Sequence, residues 1–282
     1  MNYFDIILVN PILNVLVAVY QLLMALHVPS ALGFSIILLT IIVRLILSPL
    51  LHQSLKQQKK MQQIMPEINK LKEKHKNDAK RLQTEQMALF QKHGVNPASG
   101  CVVMIIQIPI LIALYQVLLG SVCLTTKGAH SLCLPTANAV NERLYFNGLK
   151  LHELWNTSFF GLSLGHTPSQ LLSQVGFGIV LVAVLTASLQ LIQSKMMMAP
   201  AALMPKKEKK SEEDFATAFQ TQSMYLLPLM VGFFSFSLPF GLSLYWNTLT
   251  IFGIIQQYII QRWGGLVDWF PFLKDTQESK YQ

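Results

Sequence analysis

From Ser223 to Gln261 the chain carries no charged residue. Such a stretch is too long for one helix crossing a hydrocarbon core of roughly 30 Å, which takes about 20 residues. Leu238-Pro239-Phe240-Gly241 interrupts it, because Pro239 cannot continue a helical ladder and Gly241 permits a tight turn. The stretch therefore reads as a hairpin of two membrane spans, 219–238 and 241–262. Three other apolar runs are long enough to cross. Residues 31–51 hold a single charge, Arg44, while 97–120 and 171–194 hold none. Five core spans are predicted, and the expected fold class is all-α, a polytopic membrane protein.

Composition excludes the soluble alternatives. Charged residues make up 13% of the chain and hydrophobic residues 52%, against a charged share of about 25% in soluble proteins. A soluble enzyme this poor in charge could not cover its surface. The net charge is +8, and three cysteines are too few for a disulfide scaffold. Their spacing fits no zinc motif.

Basic residues accumulate on the cytoplasmic side of a membrane protein. Residues 52–92 hold ten Lys/Arg, 195–214 hold five and the tail from Arg262 holds three, whereas 121–170 hold only Lys127, Arg143 and Lys150. This places 52–96, the loop 195–218 and the tail 263–282 in the cytoplasm. The segment 121–170 and the N-terminus are outside. In residues 1–30, Asn10, Asn14 and Gln21 fall within about 40° of one another on a helical wheel, so an amphipathic helix lying in the interface is expected. A spanning helix is the alternative. A cleaved signal is disfavoured, since no basic leader precedes the apolar run.

Residues 52–96 read as a basic helical hairpin. Ile64, Ile68 and Leu71 mark one arm, Lys76-Asn77-Asp78 the turn, and Leu82, Leu89 and Phe90 the other arm, which ends at His93-Gly94. Pro66 is expected to kink the first arm or to start it. The hairpin is either a solvated loop that sets topology or a platform for anionic lipid, RNA or a nascent chain. Outside, Tyr145, Phe146, Trp155, Phe159 and Phe160 predict short helices resting on the outer leaflet. Cys123 and Cys133 share that segment, where a disulfide can persist. A bridge between them is expected, worth about 2–3 kcal/mol; two reduced thiols are the alternative.

Gly161-Leu162-Ser163-Leu164-Gly165 matches the spacing of a nucleophile elbow. That motif works on a strand-to-helix turn with a His and an acid nearby; a loop before a membrane helix gives no such setting, so no catalytic residue is expected. No span holds His, Asp or Glu, so neither a proton relay nor a metal site is expected. No phosphate-binding glycine pattern is present, and no cofactor is predicted.

Arg44 is the exception within the spans. Burying such a charge costs about 2.5–3.5 kcal/mol on insertion scales, which makes it a functional candidate. It lies about 9 Å from the cytoplasmic end at 1.5 Å per residue, so a snorkelling anchor is the plain alternative. Thr40, Arg44 and Ser48, however, form one stripe at i, i+4 and i+8. Similar stripes recur at Thr186, Gln190 and Gln193, and at Trp246, Thr250 and Gln257, with Gln107 in the middle of another span. Hydrogen bonding between helices, about 0.6 kcal/mol per pair, accounts for any one of them. Three stripes together with an Arg lacking an acidic partner in any span point instead to a water-containing groove.

Several motifs then carry a resemblance. They are Asn96-Pro97-Ala98-Ser99-Gly100-Cys101, Gln107-Ile108-Pro109-Ile110, Ala113-Leu114-Tyr115, Pro228-Leu229-Met230, Phe236-Ser237-Leu238-Pro239-Phe240-Gly241-Leu242, Tyr245-Trp246 and Ile255-Gln256-Gln257-Tyr258. In order and spacing, residues 31–120 and 171–262 resemble the YidC/Oxa/Alb family of membrane-protein insertases. The resemblance implies five spans around a hydrophilic groove open to the cytoplasm and lipid. In it Arg44, Gln190 and Trp246 would receive polar parts of a nascent membrane protein, with 52–96 helping to recruit it. It also implies a multi-pass protein of the bacterial plasma membrane acting without a small-molecule substrate, with the bilayer, a Sec-type translocon and the ribosome as candidate partners. A monomer is favoured. Thr250 stands where the family commonly has Asn, the outside segment has little family pattern, and the nearly neutral tail lacks the basic character that binds ribosomes in some members. A small-solute transporter or channel, or an assembly scaffold of a larger complex, is the alternative reading.

Overall fold

The computed structural model describes residues 3–75, 78–96, 99–122, 137–153, 155–200 and 215–273. The fold is almost wholly helical: α1 (Asn10–Ala25, led by a π-helical turn Asp5–Val9), α2 (Ala31–Lys74), α3 (Ala79–Lys92), α4 (Ser99–Val122), α5 (Ala137–Asn141), α6 (Pro168–Val175), α7 (Val180–Met196), α8 (Phe215–Ser237) and α9 (Phe240–Gln261). Among the described residues three helical stretches are long and apolar enough to cross a membrane: Asp5–Ala25, Ala31–Lys74 and Pro168–Met196. Ile105–Gly120 and Met224–Ser237 are shorter apolar helices. The anticipated Cys123–Cys133 bridge and most of the loop 195–218 lie outside the described residues.

The chain divides into two compact units. The first takes residues 1–46, 105–189 and 229–250, and the second takes 47–104, 190–228 and 251–282. The core of the first gathers Leu13, Leu16 and Val17 of α1, Leu32, Ile36 and Leu39 of α2, Leu114 of α4 and Tyr245 of α9 around Trp155 and Leu164. Tyr20 meets Trp155 edge-on, with ring centroids 5.9 Å apart. Two members of the polar stripe of α1, Asn14 and Gln21, are satisfied by protein, while Asn10 Oδ1 is buried without a partner among the described residues. Asn14 Nδ2 donates to the carbonyl of Arg143 at 3.0 Å, and its Oδ1 accepts the N–H of Tyr145 at 2.7 Å. Gln21 Nε2 donates to the carbonyl of Leu149 at 2.8 Å. This is the physical use of the narrow polar face: it fastens the 141–151 segment. That segment closes on itself through Asn141, whose side chain accepts from Leu151 N–H and donates to Leu151 O.

A two-residue antiparallel ladder departs from a purely helical fold: β1 (Ser158–Phe159) pairs with β2 (Leu162–Ser163). Its two-residue loop is Phe160-Gly161, with φ of +49° and +83°. A turn of this kind needs positive φ at both central positions, which glycine supplies freely and phenylalanine does not. After it, α6 opens on a capping box, with Thr167 accepting from Gln170 N–H and Gln170 accepting from Thr167 N–H. The break at Pro239 is bridged from the same segment. The first amides of α9, Phe240 and Gly241, donate to the carbonyls of His166 and Leu164 at 2.9 and 2.8 Å. Those N–H groups have no partner inside their own helix.

In the second unit α2 runs on without a break at residue 51 and holds both Pro49 and Pro66 inside it. Each proline removes one ladder bond, and the helix tolerates the loss. Asp78 caps α3 by accepting from Arg81 N–H at 3.0 Å. Gly94, at φ +60°, ends it, with Val95 N–H returning to Phe90 O. This is a glycine-terminated C-cap, and it drops Val95 onto Ile64 and Ile68, the small core of the hairpin. The C-terminal chain turns back after α9 at Gly264-Gly265, where Gly265 N–H donates to Met198 O at 2.9 Å.

Candidate functional site

Arg44 sits on the polar stripe of α2 in the first unit. Its Nη2 donates to the carbonyl of Leu249 on α9 at 3.3 Å. Among the described residues its Nε is buried without a hydrogen-bond partner and no ion pair involves it. A guanidinium offers five donors, so one backbone carbonyl leaves most of its capacity unspent. Thr40, one turn earlier, is 1% exposed and donates back to Ile36 O at 2.7 Å. It lines the helix but spends its proton locally.

Tyr245, which entered the sequence analysis only within the Tyr245-Trp246 motif, was not among the expected groove residues. It is fully buried on α9, its hydroxyl has no hydrogen-bond partner among the described residues, and it interacts electrostatically with Arg44. Asn247 Oδ1 and Gln116 Oε1 of the same unit are also buried without a partner among the described residues. An unpaired buried polar atom costs about 1–3 kcal/mol, so this unit carries several groups suited to water or a polar guest. The signal was available: Tyr245 and Asn247 flank Trp246 in the longest uncharged run of the chain.

The other predicted residues divide. Thr186 is buried and bonded in a helix junction. Its Oγ1 donates to Val182 O at 2.8 Å and lies 3.1 Å from Ser235 Oγ, which donates to Ser243 Oγ at 2.9 Å. Gly232 lets α8 come that close, since a Cβ there would stand 2.8 Å from Ala187 Cβ. Thr250 is buried and donates to Trp246 O at 2.9 Å. Trp246 and Gln107 are half-buried in the first unit.

Ser48, Gln190, Gln193 and Gln257 belong to the second unit. There Ser48 Oγ accepts from Gln256 at 3.3 Å. Gln257, 1% exposed, donates to Gln261 Oε1 at 3.4 Å, and Gln261 donates to Leu55 O at 2.8 Å. Gln256 and Gln261 stitch α9 to α2, while Gln257 bonds along its own helix to Gln261. Gln190 and Gln193 are half-buried on α7.

A helical membrane protein with an arginine set among apolar helices is the class that fold and site define. The family model described as "60Kd inner membrane protein" matches residues 13–265, and the chain belongs to that family. It is 31% identical to the inner membrane protein ALBINO3 of Arabidopsis thaliana chloroplasts, over 86% of this chain and 49% of that one. It is 31% identical to the membrane protein insertase MisCA of Bacillus subtilis, over 81% of this chain and 70% of that one. Against the membrane protein insertase YidC of Geobacter sulfurreducens it is 31% identical, over 82% of this chain and 34% of that one. The chain spans about half the length of the first of the curated relatives it matches.

Proposed function

We propose that this protein is a membrane-protein insertase: it takes polar parts of nascent membrane proteins into an intramembrane groove around Arg44 and releases their apolar helices into the bilayer. The observation that carries the reading is the under-used guanidinium, which holds one backbone carbonyl and no carboxylate among the described residues. The relatives named as insertases support the activity.

The physical problem is to move a polar tail through hydrocarbon, where each unsatisfied backbone group costs several kcal/mol. A wet recess within the bilayer shortens the dry path. A fixed cation attracts an acidic tail more strongly there than in water, because the dielectric is lower. Burial of the incoming apolar helix in lipid then drives the release. In this reading five spans surround the recess, Thr40, Gln107, Trp246 and Tyr245 share its wall, the 52–96 hairpin and the C-terminus face the cytoplasm, and the N-terminus is outside. Nascent chains are the partners, with a translocon and the ribosome as further candidates.

A photo-crosslinker at Gln107 or Trp246 tests the recess. Adducts with a nascent client bearing an acidic tail are expected. Arg44→Ala should lower insertion of that client about tenfold, equivalent to about 1.4 kcal/mol, with unchanged abundance. Crosslinks to lipid alone and an unimpaired Arg44→Ala variant would count against it.

A further inference from the structure

The β1–β2 hairpin is pinned to the first turns of α2 by three independent contacts. Phe160 N–H donates to Ser30 Oγ at 3.1 Å, one residue before α2 begins. The Phe159 ring lies against the bare face of Gly33, where any Cβ would collide with it. Phe34 meets Phe159 and Phe160 edge-on, at ring centroid distances of 5.5 and 6.1 Å. The two partners of the hydrogen bond are both held at positive φ, +56° for Ser30 and +49° for Phe160. That conformation is disfavoured for a bulky side chain. All this ordering leaves the Phe160 ring 72% exposed at the tip, beside a connector in which Leu26 is 64% exposed.

Position along the helix gives the surroundings of that ring. Residues 31–48 of α2 are apolar apart from Ser35 and the Arg44 stripe, and this helix is long and apolar enough to cross a membrane. Ser30 therefore marks the level at which the chain enters the bilayer. A ring tied to Ser30 stands at the boundary between headgroups and acyl chains, the depth at which aromatic side chains are enriched.

We propose that the Ser158–Ser163 hairpin is a membrane anchor whose tip, Phe160, seats in the lipid headgroup region of the leaflet that holds the N-terminal end of α2. The occupant of this apolar tip is lipid, because the tie to Ser30 fixes the ring at interfacial depth. The positive φ at Phe160 sets its ring at the tip, where one edge rests on Phe34 and on Phe159, 4.8 Å between the Phe159 and Phe160 centroids, and the rest of the side chain is exposed. The anchor is independent of the groove and of insertase activity.

The full-length protein carrying Phe160→Trp, reconstituted in phosphatidylcholine vesicles, tests this, with the added indole read as the difference from the unaltered protein. Its emission should be blue-shifted from that of an indole in water. It should lose intensity in lipid brominated near the glycerol end of the acyl chain, lose less in lipid brominated near the methyl end, and respond little to iodide. Quenching by iodide with no effect of bromolipid would overturn the anchor, and so would shielding from both quenchers, which would mean a protein partner covers the tip. Leu26→Trp probes the same level from the connector and carries the same test should Phe160→Trp fail to fold.

Discussion

Gly264 is pressed directly onto Met196: a Cβ at 264 would collide with the carbonyl oxygen that ends α7, and φ at Gly264 is +51°. Both sterics and backbone conformation therefore demand glycine there. Gly264→Ala should cost about 1–3 kcal/mol. Thermal unfolding in detergent would read the loss, and hydrogen exchange should place it in residues 262–273.

The same turn brings Asp268 to Lys195, 3.1 Å apart, with side chains only 19% and 12% exposed. Trp269 lies over the Lys195 ammonium at 5.5 Å. Asp268→Ala leaves a sheltered cation with less to hold and should cost about 1–3 kcal/mol. Replacing both partners, Lys195→Met with Asp268→Leu, should recover most of it. A double-mutant cycle on melting temperature checks the pair.

Tyr245→Phe removes a buried hydroxyl with no partner among the described residues. In a water-containing recess, insertion of acidic-tailed clients should fall a few-fold while stability changes by less than about 1 kcal/mol. A raised melting temperature with full insertion would instead assign that hydroxyl to a dry seam.

The hairpin turn should loosen in acid. Partial burial alone would raise the Glu85 carboxyl, but contact with His75 and the charges of His75, Lys74 and Arg81 outweigh it and hold the group below its ordinary value of 4.5. A depressed folded-state value stabilises above the unfolded value, and the contribution is lost as pH falls through the folded one. Protection factors in α3, which remove the intrinsic pH dependence of amide exchange, should therefore fall below about pH 4.5, and Glu85→Gln should flatten that dependence.

Asn14→Leu should release the 141–151 segment. It removes the bonds to Arg143 O and Tyr145 N–H, each worth about 0.6 kcal/mol by membrane-protein cycles. Faster protease cleavage near Tyr145, with α1 still helical, is the expected result.

Periodicity and charge made the helices, the hairpin arms and the polar stripes legible, because those features repeat along the chain. What the stripes touch was not legible. Asn14 and Gln21 read as a face for water or headgroups, yet they bind carbonyls more than a hundred residues away in sequence, a pairing no local pattern encodes. Gln257 and Thr186 look alike on a wheel to a groove wall and to a helix seam. Their 1% exposure distinguishes the two, together with the Ser235 partner of Thr186 on α8. The hairpin at 158–163 was hidden because its turn places phenylalanine where glycine or asparagine would have announced it. Tyr245 stood in a motif but was given no place at the site for the opposite reason: a tyrosine in an apolar run passes for packing until its hydroxyl is traced.

The amides that open α9 are capped by Leu164 and His166, so the loop outside the spans doubles as a splint for the helix that bears Tyr245 and Leu249. Chimeras that exchange residues 155–167 among family members should succeed only when the graft supplies two carbonyls in that register. A transplant even one residue out of phase would unseat the start of the last long helix, and with it the carbonyl on which Arg44 rests.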